Sequence, residues 1–392
     1  MNITKKLNIE YFSLQSLFWM VYCLVVGFSV TYLLAAGYTN TEIGYILASA
    51  NIFAVILQPI LAQITDQSKR INALTIFMST LSIILICSIG LLFISVRSFV
   101  LSMIYVVINM LANASIAFIT SIQFILDKEG KHIHFGVCRA GGSLFYALLS
   151  SLIGILIERV SIKSIPIALC IITVIILTLC QYLYKTTSQT PVVKDHTIDT
   201  SHTFSQFIRL YPKFMLVCLG MIFVYYAHAF MTNYTLLVVR NVGGNHREMG
   251  YLVAFMAMME LPGMFFFHHI TKRFKLSTLL AFSIVMYSFK SIIVYFAPSL
   301  FWVYVGFAFQ AVSFGLYIPA SVQYASKLIS SSDTVKAQMM FNFMQTIGMV
   351  FASLIGGILI DTYDIQFALL ISAIVSVLGS CISISGIQTI IE

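Results

Sequence analysis

Charge is what this chain has least of. Of its 392 residues 9% are Asp, Glu, Lys or Arg, against roughly 25% in soluble domains, and 59% are hydrophobic, against roughly 45–50%. That deficit excludes a soluble domain. Acid is the scarcer sign, with 14 Asp and Glu against 22 Lys and Arg. The excess of base would suggest nucleic acid in a soluble protein, but here it bears on membrane orientation, and no nucleic-acid partner is expected. The seven cysteines all fall in apolar stretches without a CxxC spacing, so they read as small hydrophobes between helices and not as a disulfide framework. There is no HExxH, GxSxG, P-loop or paired intramembrane Asp, which argues against a protease, a hydrolase or an ATP-driven pump. His132 and His134 form an HxH without further nearby ligands, so neither a metal nor another cofactor is expected, and the chain does not read as an enzyme. A cleavable signal peptide is also not expected, because the first apolar stretch follows Lys5, Lys6 and Glu10 and runs past Ala36.

What remains is apolar length. Mean hydropathy is +0.95, and a membrane helix needs roughly 20 apolar residues. Uncharged runs at 71–96 and 98–126 are too long for ordinary core helices and lack the period-two alternation of barrel strands. The fold class is therefore an all-α membrane protein. Twelve spans are expected near 11–36, 41–65, 71–95, 98–126, 135–157, 164–184, 211–238, 247–270, 275–297, 299–326, 336–360 and 365–388. With a cytoplasmic N-terminus, fifteen Lys and Arg fall on the inner side and five (Arg97, Arg159, Lys163, Arg240 and Arg247) on the outer. This asymmetry predicts both termini inside a multi-pass cell membrane protein.

A polar stretch rich in Ser and Thr, 186–205, reads as a cytoplasmic linker between an N-terminal half, 1–185, and a C-terminal half, 206–392. Self-comparison supports the cut. Glu42-Ile43-Gly44-Tyr45-Ile46-Leu47-Ala48 recurs as Glu248-Met249-Gly250-Tyr251-Leu252-Val253-Ala254, 206 residues on. Ser121-Ile122-Gln123-Phe124 recurs as Ser321-Val322-Gln323-Tyr324, and Ser151-Leu152-Ile153-Gly154 as Ser353-Leu354-Ile355-Gly356, at shifts of 200 and 202. Three matches in order at nearly one period describe two six-helix repeats of the same orientation, the arrangement in which a midplane site is exposed alternately by rocking of the halves.

Function then rests on the few polar groups inside the spans. Glu260 lies twelve residues from Glu248 and twelve from Lys272, about 18 Å from either end of its span. A carboxylate cannot snorkel that far, so it is protonated, paired, or facing a wet cavity. Lys290 is as deep in the next span and is the nearest candidate partner. Arg139 begins the fifth span; either it reaches back to cytoplasmic water, or, with Gly141-Gly142 beside it, it faces inward. His228 is a candidate proton carrier or hydrogen-bond donor. Gln123, Asn233, Gln310 and Gln323 are intramembrane amides, fit either to bind solute or to join helices.

These residues resemble a known family. The segment Gln58-Pro59-Ile60-Leu61-Ala62-Gln63-Ile64-Thr65-Asp66-Gln67-Ser68-Lys69-Arg70 looks like the loop motif of the major facilitator superfamily, with Ala62 where Gly is usual and no Gly after Asp66. The resemblance implies that Asp66, Lys69 and Arg70 brace a cytoplasmic gate. Phe135-Gly136-Val137-Cys138-Arg139 and Met259-Glu260-Leu261-Pro262 resemble the fifth and eighth helices of the lactose-permease-like branch, which also holds phenylpropionate- and nucleoside-permease-like proteins. By that resemblance Arg139 matches a sugar-contacting arginine, Glu260 the eighth-helix acid, and Lys290 a membrane arginine. The departures are Gln123 in place of an acid, Tyr146 in place of a sugar-stacking tryptophan, and Gln310 and Ser313 in place of a proton-handling histidine and glutamate.

The resulting expectation is a monomeric secondary transporter of a small polar solute, a sugar or nucleoside-like compound, with protons as the coupling ion carried by Glu260 and His228. Substrate contacts would come from Gln123, Arg139, Tyr146, His228, Asn233, Glu260, Lys290, Gln310 and Gln323. A small organic anion, such as an aromatic carboxylate, is the alternative solute, since Arg139 and Lys290 outnumber Glu260. A non-transporting membrane receptor is the remaining alternative.

Overall fold

The computed structural model describes residues 3–67, 71–126, 134–187, 203–330 and 333–389, and all regular structure in them is helical. In chain order the helices are α1 (Ile3–Tyr22), α2 (Ser29–Ala35), α3 (Asn40–Gln67), α4 (Ala73–Phe93), α5 (Phe99–Leu126), α6 (Phe135–Arg159), α7 (Ser164–Thr187), α8 (Phe204–Leu210) and α9 (Pro212–Asn233). They continue with α10 (Thr235–Asn241), α11 (His246–Phe265), α12 (Phe267–Thr271), α13 (Leu276–Tyr295), α14 (Leu300–Ala308), α15 (Phe314–Leu328), α16 (Thr334–Thr362) and α17 (Ile365–Gly386).

Among the described residues eleven helical stretches are long and apolar enough to cross a membrane. The twelfth expected span is α11 with α12. Arg247, Glu248 and Glu260 hold α11 below the apolarity of its neighbours, and Phe266 interrupts the helix before α12. Large apolar side chains cover the outer faces: on α6, Leu144, Leu148 and Leu152 form an exposed stripe at i, i+4, i+8, while Gly142, Ser143 and Ala147 turn inward. Such a stripe has no place in water and suits lipid. The linker expected at 186–205 lies mostly outside the described residues; α8 begins within it, its first turn closed by a capping box between Thr203 and Gln206.

Packing divides the chain into one unit of 1–194 with 245–254 and a second of 195–244 with 255–392. Each repeats one scheme. In the first unit α1 packs on α6 and α7, and α4 on α5 and α7; in the second α9 packs on α16 and α17, and α13 on α15 and α17. In the second unit the α9–α17 contact is made by small residues: a Cβ on Gly220 would sit 2.5 Å from the Gly379 carbonyl oxygen, and one on Gly386 2.6 Å from that of Lys213. Lipid gives apolar side chains no reason to cluster, so close backbone approach is what holds such helices together.

The repeat extends to local detail. The first span is interrupted by a π turn, Cys23–Gly27, before α2; the seventh is interrupted at Tyr234 before α10. The residues at the two breaks, Phe28 and Tyr234, lie 206 apart, the period found above. At the same offset, Gly37 and Gly243 take φ of 92° and 84°, where a side chain would be strained. Capping boxes follow both: the Thr39 and Asn245 backbone N–H groups donate to Glu42 and Glu248 at 3.0 and 2.7 Å, and the Glu N–H groups donate back to the Thr39 hydroxyl and the Asn245 side-chain oxygen at 3.3 and 3.2 Å.

The breaks at Cys23–Gly27, Tyr234 and Phe266 fall within spans expected to be continuous over 11–36, 211–238 and 247–270. The tenth span, expected to be continuous over 299–326, is broken by a 3-10 turn at Phe309–Ala311, and α15 resumes after Ser313.

Candidate functional site

That break positions the second unit's polar centre. Gln310, on the 3-10 turn, is 1% exposed. Its side-chain oxygen accepts a hydrogen bond from Lys290 Nζ at 2.6 Å, and its Nε2 donates to Glu260 Oε1 at 3.1 Å. A neutral amide thus joins a buried lysine amine to a half-buried carboxyl group, its oxygen toward the amine and its N–H toward the carboxyl. Lys290 is fully buried and also lies over the Phe307 ring, 4.5 Å from its centroid. Glu260 is held against the break by backbone contact: a Cβ on Gly315 would come within 2.7 Å of the Glu260 carbonyl oxygen, and one on Gly263 within 2.3 Å of that of Ala311. The two glycines let α11 lie directly on the broken segment, and the broken segment carries the bridging amide. A mid-membrane break is tolerated where other groups take up the freed backbone, and it commonly marks a site.

His228 borders this centre within an aromatic cluster. Its ring stacks on Phe314 (centroids 5.4 Å apart, 22°) and meets the edges of Tyr225 and Tyr287 at 5.2 and 5.3 Å.

The first unit's cation is arranged differently. Arg139 stacks on Trp19 with the guanidinium carbon 3.9 Å from the ring centroid, and its Nη1 donates to the Ser143 hydroxyl at 3.1 Å. Gly142 makes the stack possible, since a Cβ there would lie 2.4 Å from the indole; Gly141 does the same for Phe12. The indole N–H donates to Gln15 at 3.1 Å, whose amide donates to the Tyr11 hydroxyl at 2.7 Å, and that hydroxyl to the Ile119 carbonyl at 3.1 Å. Next to it, Tyr22 donates to Asn113 at 2.9 Å, and Asn113 donates to Asn51 at 3.4 Å.

A family model described as MFS_1 like family matches residues 6–371. The chain belongs to that family. By sequence, no curated protein matches. Among solved structures this major facilitator chain is similar to the nucleoside transporter NupG, with a TM-score of 0.78 at 17% identity, covering 99% of this chain and 100% of that one. A single-residue mutant of NupG gives 0.82 at 13% over the same shares. A bacterial homolog of the human lysosomal transporter Spinster, inward-facing and unoccupied, gives 0.71 at 12%, covering 100% and 98%. At such identities the likeness is one of fold. The protein is a multi-pass membrane protein with a transporter fold, and it is not an enzyme.

On that major facilitator frame the predicted residues separate. Glu260, Lys290 and Gln310 come together, with His228 beside them in the same unit. Asn233 joins helices, its amide donating to Ser353 at 3.2 Å. Tyr146 sits against the π turn, where a Cβ on Gly27 would lie 2.7 Å from its hydroxyl. Gln123 is half-buried and Gln323 exposed near the ends of α5 and α15. Lys69, Arg70, His132 and the Asp66 side chain lie outside the described residues. Two residues escaped the sequence reading in part: Trp19, which faces Arg139, and Gln310 as the link between Lys290 and Glu260 instead of a general polar lining. For Trp19 the signal was present in Gly141-Gly142, adjacent glycines on a helix face that admit a large partner.

Proposed function

We propose that this chain is a secondary transporter that carries a small uncharged polar solute, nucleoside- or sugar-like, together with protons across the cytoplasmic membrane, as a monomer with both termini inside. The observation that carries the reading is the Lys290–Gln310–Glu260 chain. With Glu260 ionised and Lys290 protonated, the fully buried ammonium is compensated through the amide, and this centre has no surplus charge to hold an anion. Protonation of Glu260 removes the compensation, so a proton and the arrangement of Gln310 and Lys290 are energetically linked. A solute that hydrogen-bonds to Gln310 competes for the same amide and thereby shifts the carboxylate's proton affinity, which is the coupling a symporter requires. The fold likeness to a nucleoside transporter supports the solute class, and the fifteen-to-five charge asymmetry supports the orientation.

The test is uptake of uridine, and of a sugar panel, into proteoliposomes under an imposed inward proton gradient. Wild type is expected to accumulate a neutral solute, and Glu260→Gln to equilibrate it without accumulation. Accumulation by Glu260→Gln equal to wild type removes Glu260 as the coupling group. Uptake confined to carboxylate solutes transfers the reading to an organic anion transporter, and specific binding without flux to a receptor.

A further inference from the structure

Two buried polar atoms beside the relay have no hydrogen-bond partner among the described residues: His228 Nδ1 and the Tyr287 hydroxyl. Both side chains are more than nine-tenths buried, at 7% and 1% exposure. They belong to one place. Their ring centroids are 5.3 Å apart at 78°, and Phe314 and Tyr225 cover the imidazole from other sides. Tyr287 lies three residues before Lys290 on α13, on the same helix face. Native interiors rarely leave two such atoms unsatisfied on touching side chains, and where they do the usual reason is a bound polar group. An imidazole nitrogen and a phenol, each able to accept or donate, match a hydroxyl, which does both at once.

We propose that His228 and Tyr287 form a hydrogen-bonding subsite for a single hydroxyl group, occupied by a water molecule in the free protein and by one hydroxyl of the solute when it binds. The proposal rests on the reading of the chain as a transporter of a neutral polar solute and specifies which chemical group that solute presents to α9 and α13. Through Tyr287 the subsite adjoins Lys290, so a hydroxyl seated there places the rest of the solute against the relay.

Two measurements on the full chain in nanodiscs test it. In an experimental structure at a resolution that shows ordered water, density within hydrogen-bond distance of both His228 Nδ1 and the Tyr287 hydroxyl is expected without solute; a dry contact overturns the subsite. In binding assays, uridine is compared with its 2′-, 3′- and 5′-deoxy analogues. Tyr287→Phe and His228→Phe are each expected to weaken uridine about three- to tenfold, the range for one lost hydrogen bond, and to leave the affinity for one deoxy analogue unchanged. Equal losses for every analogue, or no loss for uridine, overturn the assignment, as does benzoate binding that both variants abolish. If wild type binds no nucleoside, the proposed solute class fails, and the density at His228 and Tyr287 still decides the subsite.

Discussion

Lys290 and Arg139 are both cations on membrane helices, one in each unit, and the protein surrounds them in different ways. Lys290 is fully buried and is tied through Gln310 to a carboxylate. Arg139 is half-buried, lies flat on an indole and donates to a serine. The difference follows from the two head groups. An ammonium is a compact, strongly hydrated point charge that is costly to bury without a counter-charge; a guanidinium is planar, weakly hydrated and satisfied in part by a ring face. The glycines follow suit. Gly263 and Gly315 bring backbone to backbone so that the relay closes, whereas Gly141 and Gly142 make room for aromatic rings. One repeat scheme therefore carries a lysine–amide–carboxyl hydrogen-bond chain in one unit and a guanidinium–indole stack in the other.

The comparison breaks most severely at Glu260. Glu260→Ala leaves the Lys290 ammonium without its counter-charge and is expected to cost about 3–5 kcal/mol of stability, read as thermal unfolding in detergent. Adding Lys290→Met is expected to restore most of it; a single variant as stable as wild type would mean that the relay does not compensate the lysine. Gln310→Leu removes both bridging hydrogen bonds and takes from the fully buried Lys290 the amide oxygen it donates to, with an expected loss of about 2–3 kcal/mol and of coupled uptake. In the first unit the effects should be smaller. Gly142→Ala forces the indole away from Arg139 and is expected to cost about 1–2 kcal/mol, with Trp19→Leu changing solute affinity in the same direction. Smallest is Arg139→Lys, expected to lose about 0.5–1 kcal/mol of cation–π stabilisation with stability otherwise intact. Unfolding midpoints for Arg139→Lys lower than for Gln310→Leu would invert the comparison.

Helices, repeat and deep charges were legible because each leaves a periodic or compositional mark. The duplicated capping glutamates announced themselves as the recurrence at 42–48 and 248–254, and Gly37 and Gly243 keep the same spacing. What stayed hidden was long-range. Gln310 reads as one more intramembrane amide until the break at Phe309–Ala311 is known, and that break carries neither Pro nor Gly within the turn; its Ala311 carbonyl packs against Gly263 of another helix. The pairing of Trp19 with Arg139 likewise joins residues 120 apart in sequence, which no local pattern encodes. Tyr146, the expected stacking platform by resemblance, faces the π turn, and the ring that covers the arginine comes from the first helix.

Only two tryptophans occur in the chain, Trp19 and Trp302, and Trp302 lies 47% exposed. A Trp302→Phe variant would leave a single indole in the whole molecule, positioned under the arginine. The protein thus carries its own optical probe: intrinsic emission becomes a label-free signal of whether the guanidinium rests on the ring.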